Sequence, residues 1–141
     1  MPGAEQDVLH LDLINEGGYD ATLKNATFTI AYNKGTSDVT TSTERTFKLY
    51  DAAGNLLKSV TLSDGFTING AKIAFSAIDK VLPPGTTKII LKGDTGYVVT
   101  GKSVYQSFNV VAVSDIVWND GNVDVSARHF VAPLVGGTLT Y

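Results

Sequence analysis

Regular alternation of apolar and polar positions is the dominant pattern in this chain. Leu9, Leu11 and Leu13 occupy every second position, and a period of two predicts a β-strand with these leucines on one face. Phe28 and Ile30 alternate with threonines in the same way, which is typical of a pleated surface that is half exposed to water. Both segments are therefore predicted strands.

The rest of the chain repeats this pattern between short turn sequences. Asn-Gly and Asp-Gly pairs, and the adjacent prolines Pro83 and Pro84, interrupt it at intervals that suit strand connections. The segment Ser76–Val81 is the only candidate for a helical turn. Further predicted strands cover residues 47–50, 56–62, 66–68, 73–75, 87–92, 104–113, 123–127 and 138–141. This succession predicts an all-β protein, an antiparallel β-sandwich of about 8–10 strands.

The chain has 141 residues, a length at which a domain buries about two thirds of its unfolded surface around a single core. We expect residues 7–141 to form one domain and residues 1–6 to be a cloning-derived or linker segment. The first residues lack the basic and apolar regions of a secretion signal, so any signal or anchor is expected to lie outside this chain.

Composition narrows the classes of partner. The formal net charge is −3, and lysine and arginine are scattered singly, without the basic stripe that neutralises phosphates. We therefore expect no nucleic-acid partner. No apolar run is long enough to cross a bilayer, so no membrane insertion of this chain is expected. The sequence has no cysteine, which excludes disulfides and thiol nucleophiles within it.

Catalytic motifs are missing from the sequence. The two histidines, His10 and His129, belong to no nucleophile, phosphate-loop or dinucleotide motif. Most of the acids adjoin glycine or lie in turns, where a carboxylate commonly bonds its own backbone. We therefore expect a protein that is not an enzyme. A pair of carboxylates brought together by the fold stays open as an alternative.

Several strand and turn motifs follow one another in a suggestive order. They are residues 7–15 and 23–32, Phe47–Asp51 with Gly54 and Asn55, Leu82–Lys92, Asp115–Gly121 and Leu134–Leu139. This order resembles the immunoglobulin-like domains of large bacterial surface proteins, of the surface-layer-like or adhesin type. The resemblance implies an immunoglobulin-like sandwich at the cell surface, with a structural or adhesive role in surface-layer or filament assembly. Its implied partners are other domains of the same protein or neighbouring subunits.

The segment Phe47–Asn55 is also similar to the central strand and turn of pilin and adhesin domains of the collagen-binding B type. That resemblance implies a Lys–Asn isopeptide cross-link assisted by a carboxylate. In those domains the lysine lies in the first strand, where this sequence has leucines and His10. We therefore do not expect the cross-link.

An acidic loop near the C-terminus is the best candidate for a metal site. Asp115, Asn119, Asp120, Asn122 and Asp124 place several oxygen donors around a glycine. Calcium prefers six to eight oxygen ligands of this kind, so the loop predicts a calcium site. The alternative is an ordinary turn in which these side chains bond their own backbone.

Aromatic side chains suggest a second kind of binding. Trp118 is the only tryptophan, and with Tyr97 or Tyr105 it would form a platform for a sugar ring. The chain would then be a carbohydrate- or ligand-binding module of a secreted multidomain enzyme, with polysaccharide as partner. The alternative is a tryptophan that plugs the rim of the core. The loop 33–44 and unpaired edge strands are further expected contact surfaces.

Overall fold

A computed structural model describes residues 5–33, 45–62, 71–93, 107–126 and 139–140. All regular structure in these ranges is β-strand, which confirms the predicted all-β class. No helix long and apolar enough to cross a membrane occurs in these ranges. The strands are β1 (Gln6–Asn15), β2 (Ala21–Asn33), β3 (Arg45–Asp51), β4 (Leu56–Leu62), β5 (Ala71–Phe75), β6 (Lys80–Leu82), β7 (Gly85–Gly93), β8 (Ser107–Asn119), β9 (Asp124–Ser126) and β10 (Leu139–Thr140).

The strands form two antiparallel sheets. One has four strands in the order β1-β7-β3-β4. The other has six, in the order β10-β8-β2-β5, with β6 added to β2 and β9 added to β8. The long strands β2 and β8 pair with each other over most of their length. This is a two-layered arrangement of the sandwich kind, as the alternation predicted.

The core lies between the two sheets. The four-stranded sheet contributes Phe47, Leu49, Ile89 and Leu91, all at most 2% exposed, and the strands predicted over 47–50 and 87–92 are confirmed as β3 and β7. The other sheet contributes a larger set of buried side chains: Leu23, Ala26, Phe28, Ile30, Ile73, Phe75, Leu82, Val113 and Ile116. Phe28 and Phe75 meet edge to face at 5.9 Å between ring centroids, a favourable aromatic geometry.

Strand irregularities change which residues face inward. The pairing of β1 with β7 shifts between Asp7 and Leu9, and Val8 and Leu11 are the buried residues of β1 while Leu9 is half-buried. Leu9, Leu11 and Leu13 pair in unbroken alternation with β7 and lie on the core side, which confirms the predicted face, and a β-bulge before Leu9 adds Val8 to that side. A second shift lies in β8, where Asp115 has a φ of 50° and is exposed.

The predicted helical turn at Ser76–Val81 is wrong. Lys80 and Val81 belong to β6, and residues 76–79 form an irregular segment in which Ala77 and Asp79 have positive φ. The segment interrupts what would otherwise be one strand, since β5 and β6 both pair with β2. Ile78 is buried at its centre, and its N–H donates to the Lys24 carbonyl at 2.9 Å. The burial of Ile78 thus holds in place a segment that forms no strand pairing of its own.

Candidate functional site

The turns between β1 and β2 and between β8 and β9 lie at the same end of the protein. β1 ends at Asn15, which pairs with Gly85, the first residue of β7. β8 ends at Asn119, which pairs with Thr22 near the start of β2. Since the first turn joins β1 to β2, strand pairing brings both turns to this end.

Asn15 organises the turn between β1 and β2. Its side-chain amide donates to the carbonyls of Tyr19, at 2.8 Å, and Leu82, at 2.9 Å. Its Oδ1 accepts the Gly17 N–H at 2.9 Å. The Leu82 contact reaches β6 in the other sheet, so one asparagine fixes both the shape of the turn and its position against the second layer.

The turn between β8 and β9 is held by its own polar side chains. Asp120 Oδ1 accepts the N–H groups of Asn122 and Val123, each at 2.9 Å. These two backbone donors hold the pKa of Asp120 below its usual value. Asn119 accepts the Gly121 N–H at 2.8 Å and donates to Asp124 at 2.9 Å. This is the bonding pattern of an Asx-rich turn.

A cleft of about 310 Å³ opens between the two sheets beside these turns. We call it the Trp118 cleft. Its apolar lining comes from both layers: Leu13, Ile14, Leu23, Leu82, Ile116 and Trp118. Asn15 and Glu16 lie at its polar side. Ile14 is 67% exposed, so apolar surface here is in contact with water.

A second, more polar depression of about 400 Å³ adjoins it. We call it the Tyr19 hollow. Tyr19, Asp20, Asp120 and Asn122 line it together with Trp118. Trp118 therefore borders both depressions. Its side chain is half-buried and packs against the core, whereas Tyr19 is 85% exposed.

Comparison of the chain with known protein families, curated proteins and solved structures found no match. The site is therefore interpreted from its own geometry.

The predicted calcium ligands do not form one loop. Asp115 and Asn119 belong to β8 and Asp124 to β9, so the prediction of a continuous loop from 115 to 124 is wrong. Asp115 lies four residues before Asn119, roughly 10 Å or more along an extended strand. The described ranges contain no group of three His, Cys, Asp or Glu side chains suited to a metal ion. Calcium binding by Asp115, Asn119, Asp120, Asn122 and Asp124 stays a prediction, and so does its alternative, an ordinary turn in which these side chains bond their own backbone.

The predicted aromatic platform is placed only in part. Trp118 borders an open cleft, but Tyr97 and Tyr105 lie outside the described residues, as does His129. Tyr19, in the turn between β1 and β2, lies in the same hollow as Trp118, and no motif in the sequence singles it out. His10 is exposed and meets Asp7 at 3.1 Å.

Charge is distributed unevenly over the described acids. Those on the four-stranded sheet and beside β6 have cationic partners: Glu5 with Lys48, Asp7 with His10 and Lys92, Asp12 with Lys88, Asp51 with Lys80 and Asp79 with Lys24. Glu16, Asp20, Asp115, Asp120 and Asp124 have no ion-pair partner among the described residues, and of these Glu16, Asp20 and Asp120 line the cleft or the hollow. Unpaired negative charge thus gathers around Trp118.

A third feature of this end is the turn Asp51–Asn55, which we call the Asp51 turn. Asp51 Oδ1 accepts the N–H groups of Ala53 and Asn55, and Oδ2 accepts the Asn55 side-chain amide at 3.0 Å. Lys80 Nζ lies 3.2 Å from Oδ2. The bonds from Asn55, with a further contribution from Lys80, hold the pKa of Asp51 far below its usual value.

Proposed function

We propose that this chain is a non-catalytic, immunoglobulin-like module of an extracellular bacterial surface protein, of the surface-layer or adhesin type, which acts through protein–protein contact. Its partners are other domains of the same protein or neighbouring subunits. The two-layered all-β architecture supports the proposal, and so does the resemblance of its strand and turn motifs to such domains.

The observation that carries the binding role is the Trp118 cleft. An isolated domain gains stability by closing apolar surface between its sheets, yet here Leu13, Ile14 and Trp118 border an open cleft. Exposed apolar surface with a polar rim is typical of interaction sites. A partner that covers the cleft would remove this surface from water.

Two measurements test this proposal. Antibodies against the domain should label intact cells of the source organism, and no labelling of intact cells, with strong labelling after lysis, would contradict the surface location. Light scattering after size exclusion should detect complexes between this chain and the adjoining domains of its parent protein. Complexes of equal strength with a Trp118→Ala variant would place the contact elsewhere.

Carbohydrate binding is the second candidate, as a module of a secreted multidomain enzyme. The juxtaposition of Trp118 and Tyr19 with Asp20, Asp120 and Asn122 favours it, because sugar sites combine an aromatic face with carboxylate and amide hydrogen bonds. A glycan array and titration of the single tryptophan's fluorescence test it. A polysaccharide that changes this fluorescence and fails to bind Trp118→Ala would replace the first proposal.

A further inference from the structure

The residues around Trp118 combine two chemical features that occur together in cation-binding sites. One is an aromatic side chain in contact with open space, since the half-buried Trp118 borders both the cleft and the hollow. The other is negative charge, from Glu16 at the cleft and from Asp20 and Asp120 in the hollow, that no ion pair within the described ranges compensates. Neither depression is lined by a lysine or arginine among the described residues.

Nearby lysines do not supply the missing charge. Lys24 is bound to Asp79 at 2.6 Å, and its pKa is raised mainly by that hydrogen bond. Lys80 is bound to Asp51 on the other side of β6. The ionised state of Asp120 is favoured by the backbone donors Asn122 and Val123. A cationic ligand would therefore meet the carboxylates of Glu16, Asp20 and Asp120, which have no ion-pair partner in the part of the chain that the structure describes.

The shape of the site restricts the ligand further. The Trp118 cleft is apolar and, at about 310 Å³, lies at the small end of ligand pockets. It suits a hydrocarbon stem better than a compact ion. An arginine side chain combines such a stem with a planar cation that stacks on tryptophan and bonds carboxylates in pairs.

We propose that this site receives an arginine side chain from the protein partner, with its stem in the Trp118 cleft and its guanidinium in the Tyr19 hollow beside Asp20 and Asp120. The proposal rests on the protein–protein role proposed above and specifies its chemistry. Stacking of the cation on Trp118 and its attraction to the unpaired acids make the site selective for arginine over a neutral side chain of the same shape.

The test uses two N-acetylated pentapeptide amides, glycine-leucine-arginine-leucine-glycine and its counterpart with citrulline in place of arginine. Citrulline keeps the shape and removes the charge. Because Trp118 is the only tryptophan, its fluorescence reports binding at this site. We expect the arginine peptide to bind about tenfold more tightly at low salt, and the difference to shrink as ionic strength rises.

Matched variants test whether the preference for the arginine peptide over the citrulline peptide arises at this site. Asp20→Asn should reduce the preference for arginine about threefold. Asp12→Asn, which removes an exposed carboxylate of β1 outside both depressions, should leave it unchanged. Trp118→Leu keeps an apolar side chain and removes the ring, and NMR shift titration should show at least tenfold weaker binding. Circular dichroism melts of each variant establish that the fold is retained.

Several outcomes would overturn the inference. Equal binding of the two peptides would refute the cationic ligand and leave the protein–protein role intact. Equal losses in Asp20→Asn and Asp12→Asn would show that net charge alone attracts the peptide. A Trp118 that acrylamide does not quench in the free protein would mean that the cleft is already covered. Binding of a neutral oligosaccharide at Trp118, with neither peptide bound, would contradict both proposals.

Discussion

The Asp51 turn and the turn at Asp120 share the same local hydrogen-bonding pattern but have different roles. In each, one aspartate Oδ1 accepts two backbone N–H groups of its own turn, and in each the aspartate pKa is lowered. Asp51 is only 8% exposed and has Lys80 as partner, whereas Asp120 is exposed and has no cationic partner among the described residues. The local motif orders the turn, but the neighbouring strand decides whether its charge is neutralised.

This difference originates in β6. Lys80, at one end of β6, crosses from the six-stranded sheet to Asp51 in the other sheet. Leu82, at the other end, lines the Trp118 cleft with a hydrocarbon side chain. The same three-residue strand therefore neutralises one turn and leaves the other negative. We regard the Asp51 turn as structural and the surroundings of Trp118 as available for binding.

The largest expected effect is on thermal stability. Asp51→Ala removes three hydrogen bonds within the turn and leaves Lys80 without its partner. We expect the Tm to fall by about 8 °C or more, and by about 3 °C or less for Asp120→Ala. Calorimetry on both variants measures the contrast. Equal decreases would show that the ion pair with Lys80 adds nothing to the turn.

The second-largest expected effect is on the pH dependence of stability, to which the two turns should contribute differently. The lowered pKa of Asp51 means that the folded protein favours the ionised form. Its contribution to stability is complete above the unfolded pKa of about 3.9 and is lost as pH falls from there toward the folded pKa. Below about pH 4 the wild-type Tm should therefore decline, and Asp51→Ala should flatten this decline more than Asp120→Ala. Parallel curves for wild type and Asp51→Ala would contradict the assignment.

A smaller effect is expected from removing the unpaired acids. The double variant Glu16→Gln, Asp20→Asn lowers repulsion among like charges and breaks no ion pair between described residues. We expect its free energy of unfolding to lie within about 0.5 kcal/mol of wild type, with any gain confined to low salt. Urea unfolding at two ionic strengths measures this. A clear loss of stability would give these acids a structural role instead.

Calcium should change stability very little. The Oδ1 atoms of Asn119, Asp120 and Asp124 already accept hydrogen bonds within the turn. An ion would have to replace these donors. We expect equal Tm values in excess calcium and in chelator, since a ligand that binds only the folded state would raise the Tm. A rise of several degrees in calcium would establish the metal site.

No change is expected in the mass of the intact chain. Lys80, Asp51 and Asn55 bring an amine, a carboxylate and an amide together, the groups that an isopeptide bond requires. Attack by lysine on the amide carbon needs the neutral amine, whereas Lys80 donates a hydrogen bond to the Asp51 carboxylate at 3.2 Å and not to the amide. We expect an unshifted intact mass. A mass lower by one ammonia would show that Lys80 and Asn55 had joined.

The sequence predicts most of the fold because strand alternation is a local property. Phe47, Leu49, Ile89 and Leu91 face inward as their spacing indicates. The bulge at Val8 breaks this rule, because an extra residue shifts the pairing without changing composition. The predicted helical turn at Ser76–Val81 is wrong for a similar reason, since the pattern there does not show that β5 and β6 share β2 as a partner.

The candidate site was harder to predict. Trp118 was identified by its rarity and Asp120 by its turn chemistry, but Tyr19 and Asp20 come from a turn about a hundred residues away in sequence. Only strand pairing determines that these turns share an end. The contact between Lys80 and Asp51 has the same origin, because it joins two sheets that no local pattern relates.

The attachment of β6 has a mechanical consequence. At one end Lys80 is tied to Asp51, and at the other the Leu82 carbonyl accepts the Asn15 side-chain amide. Both ties cross to the opposite sheet, so a force that slides one layer over the other must break them together. Under tension β6 therefore joins the two layers through polar contacts at both of its ends, in addition to the apolar packing between the sheets.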